Sequence, residues 1–110
     1  HYYQQQGDLE RANDFYRQGL ALAKAASYES GIAHAQLHIG LLALEQGQLN
    51  QAEQYMQDAL ATWQDMENEG MIAQTLRGLG DISVQVGEQR AADARSYFRQ
   101  ALQLAVKNNL

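Results

Sequence analysis

Glycine recurs in this 110-residue chain at Gly7, Gly47 and Gly87, a step of 40 residues, and Gly40 and Gly80 repeat that step. Apolar and small positions keep it too: Ile32 and Ile72, Ala33 and Ala73, Ile39 and Leu79, Leu42 and Ile82, Ala12 and Ala52. A chain with such a period is built from copies of one unit. A unit of this length buries its apolar face only when its neighbours stack on it. The copies read as helical: proline is absent, Ala, Leu and Gln dominate, and β-branched residues are sparse, so intrinsic preference summed over any long window favours helix. The fold class that follows is all-α, an α-solenoid of stacked antiparallel helix pairs.

Apolar periodicity divides each unit in two. Residues 31–46 carry Ile32, Ala35, Ile39, Leu42 and Ala43 at steps of three and four, which predicts a first helix ended by Gly47-Gln48. Residues 49–67 carry Leu49, Ala52, Met56, Ala59, Leu60, Trp63 and Met66, which predicts a second. The next unit copies both, with Ile72, Leu76, Leu79, Ile82 and Val86 before Gly87, then Ala94, Phe98, Ala101, Leu102 and Ala105. The units are therefore 31–69 and 70–110, preceded by a partial unit at 1–30. In that partial unit we expect a helix end at residues 1–6, a turn at Gly7-Asp8, and a helix from Leu9 to Ala26 with Asp8 as its N-cap. Small residues at Ala12 and Gly19, Ala52 and Ala59, Ala94 and Ala101 mark close helix approaches. The large pairs Phe15-Tyr16, Tyr55-Met56 and Tyr97-Phe98 fill the gaps between them as core residues.

The formal net charge of -5 argues against a nucleic-acid binder, because phosphate affinity comes from clustered Lys and Arg. The charge is unevenly placed. No basic side chain falls between Lys24 and Arg77, where Glu29, Glu45, Glu53, Asp58, Asp65, Glu67 and Glu69 lie; Arg90, Arg95, Arg99 and Lys107 then crowd the end. No run approaches the roughly 20 apolar residues that span a bilayer, so no membrane is expected and the cytoplasm is the default location. The absence of cysteine excludes disulfides, thiol catalysis and Cys-based zinc sites.

The units resemble the tetratricopeptide repeat, whose pattern runs Trp-x-x-Leu-Gly-x-x-Tyr, a turn glycine, then Ala-x-x-x-Phe. One unit reads Gln36-x-x-Ile39-Gly40-x-x-Ala43, Gly47, Ala52-x-x-x-Met56, Ala59-Leu60; the next reads Leu76-x-x-Leu79-Gly80-x-x-Ser83, Gly87, Ala94-x-x-x-Phe98, Ala101-Leu102. The partial unit keeps Tyr3, Gly7, Ala12, Tyr16 and Gly19-Leu20, so the resemblance covers essentially the whole chain. Gln36 or Leu76 stands where the family has tryptophan, the closing proline is missing, and the step is 40 rather than the usual 34. The extra residues are expected to lengthen the corners around Ser27 to Gly31 and Asp65 to Gly70. Two more residues between Gly87 and Ala94 call for a bulged turn or a helix that starts late, near Arg90. The longer form looks like the repeats of bacterial multidomain regulators, signalling ATPases and kinesin light chain relatives. The resemblance implies a right-handed superhelix that binds a peptide or partner domain in its concave groove, with no catalysis.

In such proteins the first helix of each unit lines the groove, which makes His34, Leu37, His38, Leu41 and Glu45 of one unit and Gln74, Arg77, Asp81 and Gln85 of the next the candidate partner-binding residues. Steps of three and four return each set to one helix face. Imidazole, amide and carboxylate groups there can hydrogen-bond a peptide backbone while Leu37 and Leu41 cover its apolar side chains. His34 and His38 also have the spacing of two imidazoles on one metal, with His1 opposite. The run His-Ala-Gln-Leu-His lacks the glutamate of His-Glu-x-x-His, however, so no metal or cofactor is expected. There is no Gly-x-Ser-x-Gly turn and no Gly-x-x-x-x-Gly-Lys loop; Gly78-Leu79-Gly80 reads as close packing. At the ends, Leu9, Phe15 and Tyr16 on one side and Leu102, Leu104 and Val106 on the other are expected to be bare. A fragment of a longer repeat protein that self-associates through an end would follow. The other functional reading is an effector-sensing regulatory arm of a larger bacterial signalling ATPase or transcription regulator.

Overall fold

The computed structural model describes residues 2–109, with side chains from residue 7 onward. Its elements are α1 (Tyr2–Ala25), α2 (Glu29–Glu45), α3 (Leu49–Asp65), α4 (Glu69–Val86) and α5 (Ala91–Lys107), with one 3-10 turn at Glu88–Arg90. The described residues contain no strand. Short turns fold α2 on α3 and α4 on α5 as antiparallel hairpins; α1 packs on α2, α3 on α4, and α2 also reaches α4. The result is a TPR-like helical solenoid, a slab of 36 × 35 × 22 Å with a radius of gyration of 14.5 Å. A globular chain of this length would have a radius near ~13 Å. No described helix is long and apolar enough to cross a membrane.

Three of the turns are one structure repeated every 20 residues. At Ser27, Gly47 and Glu67 the backbone takes a positive φ of 54°, 75° and 57°. The following amide donates back to the carbonyl five positions earlier: Tyr28 N to Ala23 O at 2.9 Å, Gln48 N to Ala43 O at 2.9 Å, Asn68 N to Trp63 O at 3.0 Å. With the inner bonds from Ser27 to Lys24, Gly47 to Leu44 and Glu67 to Gln64, each is a Schellman ending that satisfies the last carbonyls of its helix. The corners between units are thus as short as the turn within a unit. The residues beyond a 34-residue step lengthen the helices and not, as the sequence suggests, the corners. The additional residues after Gly87 form the 3-10 turn, and α5 starts just past Arg90.

The Gly7-Asp8 turn expected from the period is not present. Helix α1 runs through both residues, and Asp8 sits inside it facing Arg11 at 3.4 Å. At Gly47 a hairpin partner rewards reversal of the chain. Among the described residues no helix precedes α1, and glycine inside a helix costs only about 1 kcal/mol.

One core runs through both complete units. Trp63, Leu37, Met56, Leu79 and Ile82 are fully buried in it, and Leu20, Ala35 and Ile39 join α1 to α2. Met56 of α3 is the wedge between units. A Cβ placed on Gly40 of α2 would lie 2.9 Å from its Cγ, and one on Gly78 of α4 would lie 2.7 Å from its sulfur. Ala52, Ala59, Ala94 and Ala101 are buried as their spacing predicts, whereas Gly19 is exposed and Ala12 half-buried because that side of α1 is uncovered. Thr75 and Ser83, both buried, satisfy their hydroxyls on the carbonyls of Met71 and Leu79 one turn back. On the other side of the slab the second helices are tied in equivalent pairs: Arg17 donates to the Tyr55 hydroxyl at 3.0 Å and Gln57 to the Tyr97 hydroxyl at 3.1 Å. Arg90 pairs with Glu53 across the units and with Asp93 at 2.7 Å.

Candidate functional site

Helix α2 touches α1, α3 and α4, so only a narrow strip of it reaches solvent. Leu37 is not on that strip. It is 1 % exposed and packs with Trp63 in the core, which removes it from the surface a partner can meet. The remaining candidates other than Asp81 divide between two clefts on the α2–α4 side.

In the first cleft, of about 690 Å³, His38, Leu41 and Glu45 of α2 face Gln85 of α4, with Ala12 and Tyr16 of α1 forming the far wall. The His38 ring lies flat on Tyr16, centroids 4.6 Å apart and planes 9° from parallel. Burial in this stack, followed by the charge of His34 one turn away, holds the His38 imidazole below its ordinary value of 6.5. The ring is therefore neutral near pH 7 and can donate one hydrogen bond and accept another. Leu41 is half-buried, and Glu45 and Gln85 are exposed. The cleft offers an apolar floor, a neutral imidazole, a carboxylate and an amide, the set that a peptide's side chains and backbone require.

In the second cleft, of about 600 Å³, His34 of α2 meets Gln74 and Arg77 of α4 over a floor that includes Met71, Ala101 and Ala105. The His34 ring stands edge-on to Trp63, centroids 4.8 Å apart at 79°. Asp81 is exposed on α4 but lines neither cleft. The two histidines thus pair with different aromatics. His1 lies outside the described residues, and no group of three or more His, Asp or Glu side chains among those residues gathers around a common point.

A third concavity lies between α1 and α2, an almost wholly apolar slot floored by Gly19, Ala23, Gly31 and Ala35 and walled by Phe15 and Tyr28. Phe15, Leu22 and Tyr28 are 71 %, 72 % and 61 % exposed. The sequence reading names Phe15 there but misses Leu22 and Tyr28. Their steps of seven and six, from Phe15 to Leu22 to Tyr28, cross from one helix to the next and leave no single-helix stripe. At the other end Leu102 and Val106 are exposed as expected, together with Phe98, while Leu104 turns inward against the core.

Residues 32–68, spanning most of α2 and all of α3, match the family model of the tetratricopeptide repeat. No curated protein and no solved structure matches the chain. The matched hairpin is similar to a tetratricopeptide repeat unit, and α4 and α5 copy its arrangement in an all-helical stack.

Proposed function

We propose that the chain is a non-catalytic protein-interaction module that holds a peptide or a partner's segment in the cleft between α2 and α4. The observation that carries the reading is the first cleft itself, where His38 stacked on Tyr16, half-buried Leu41, and the facing pair Glu45 and Gln85 converge from three helices. An extended peptide there would bury an apolar side chain on Leu41 and pair its backbone with the imidazole and the amide. The second cleft, with Gln74 and Arg77, continues the same side of the slab toward α5 and would take the peptide's next residues.

The test is selection of peptides from a displayed random library against the whole chain, followed by calorimetry. His38→Ala combined with Arg77→Ala should weaken the selected peptides at least tenfold, while Gln57→Ala, on the opposite side, leaves them unchanged. Selected peptides whose affinity ignores the double variant would place the partner elsewhere.

A further inference from the structure

The two clefts on the α2–α4 side carry opposite charge. Glu45 is the one charged side chain lining the first among the described residues, and the His38 imidazole beside it is neutral near pH 7. The imidazole of His34 aside, Arg77 is the one charged side chain lining the second, and no other Lys or Arg falls between Lys24 and Arg90. Glu45 and Arg77 are both exposed, and neither is in an ion pair among the described residues. Neighbouring carboxylates leave Arg77 free. Asp81, one turn beyond it, makes no ion pair and lines neither cleft, and Glu69 at the start of α4 meets Lys107 at 3.0 Å.

The backbone sets the same polarity. Helices α2 and α4 both run antiparallel to α3 and are therefore parallel to each other. The second cleft takes in Asn68, Gly70 and Met71 at the N-terminal end of α4, and the first takes in Glu45 and Gln85 at the C-terminal ends of α2 and α4. Parallel macrodipoles add, favouring an anion beside the N-terminal ends and a cation beside the C-terminal ends. In the second cleft the Arg77 guanidinium offers a carboxylate a fork of donors, with the Gln74 amide and the His34 imidazole lining the same cleft.

The repeat gives the spacing. Forty residues before Arg77 stands Leu37, eight residues from Glu45 on α2, which is about 12 Å along the helix axis. With packed helix axes about 9 Å apart, the two charges lie about 15 Å from each other, the reach of about four to five residues of extended chain. The second cleft continues about two turns past Arg77 to Asn68, so a chain bound there runs on and offers a side-chain carboxylate rather than its terminus. We infer that the segment held in these clefts is extended and carries a Lys or Arg against Glu45 and, about four to five residues away, an Asp or Glu against Arg77. This inference rests on the peptide reading and adds the chemistry that selects the peptide.

Peptides selected from the displayed random library are the probe, measured by calorimetry on the whole chain. They should carry the two opposite charges at that spacing, in either order. Replacing the acidic residue by its amide should weaken binding about fivefold, the upper range for a partly exposed ion pair, and should abolish the further effect of Arg77→Gln. The basic residue should couple to Glu45→Gln in the same way. Selection against Arg77→Glu should return peptides that are basic where the others are acidic. Amidating the peptide C-terminus should change nothing; a loss of binding there would overturn the side-chain assignment. Peptides weakened by His38→Ala that lack these charges, or whose charges do not couple to Glu45 and Arg77, would overturn this inference and leave the peptide reading standing. Peptides indifferent to His38→Ala would overturn both.

Discussion

Ser27 and Glu67 occupy the left-handed region at φ 54° and 57° where the equivalent turn uses Gly47. A side chain with a Cβ costs about 1 kcal/mol or more in that conformation. Glu67→Gly should therefore raise the melting temperature by several degrees, about 1 kcal/mol for a chain of this size, and Gly47→Ala should lower it by a similar amount. Thermal melts of the two variants check both directions. Gln36 is a second point of residue-scale cost. Its side-chain oxygen is buried without a hydrogen-bond partner among the described residues, and the equivalent position in the next unit is Leu76, buried in the core. Gln36→Leu should stabilise the chain by about 1 kcal/mol, since an unpaired buried carbonyl costs about 1–3 kcal/mol. A destabilised variant in urea titration would show that the oxygen is satisfied. The sequence places both corners, around Ser27 to Gly31 and Asp65 to Gly70, but not their tightness, because the left-handed residue is serine in one and glutamate in the other and neither announces a tight turn. Gly7 misled in the opposite sense, since glycine marks a turn only where a partner helix makes reversal favourable.

At the scale of elements, the helix stripes read from spacing are the helices found, but their faces are less simple than a single stripe. Helix α2 is covered by α1, α3 and α4, so Leu37 is core although it shares a face with His34 and Leu41 on a helical wheel. The wheel shows which residues lie together. How many neighbours press on the helix is a property of the stack. Caps differ as well: Asn68 accepts from Met71 N at 3.2 Å at the start of α4, while Gln48, its equivalent before α3, makes no such bond. Gln48→Asn should add about 0.5–1 kcal/mol by copying that cap, measured as a raised urea midpoint. The α1–α2 junction carries a pH dependence. His38 has a folded pKa below its unfolded value of 6.5, so as the pH falls the unfolded chain takes up this proton first. Stability tied to the neutral stack on Tyr16 is therefore complete above the unfolded value and is lost as the pH falls through 6.5 toward the folded value. The drop in urea midpoint between pH 7.5 and 5.5, a window chosen to bracket the ordinary histidine range, should be larger for wild type than for His38→Gln. Equal drops would separate His38 from the effect.

For the whole molecule, the central claim is that the hairpins share one interior. Met56 shows how: a flexible thioether from the second helix of one unit fills the space left by glycine on the first helix of its own unit and on that of the next. Removing it should therefore weaken both units at once. Met56→Ala is expected to cost about 2–5 kcal/mol while unfolding remains a single transition, because neither hairpin retains a core of its own. Two separated transitions would mean that the units stand independently. The architecture was legible because the 40-residue period records this mutual dependence, in Gly40 with Gly80 and Ile39 with Leu79. The candidate clefts were only partly legible, since they depend on how α1 closes over His38, and Tyr16 gives no sign in sequence of belonging to a wall rather than the core. The most direct test is a nuclear Overhauser experiment on a chain labelled at the methionine methyl groups. The account predicts a cross-peak from the Met56 methyl to the α-protons of Gly78 in the next unit. A Met56 methyl that shows cross-peaks within its own hairpin but none to Gly78 would contradict a continuous stack.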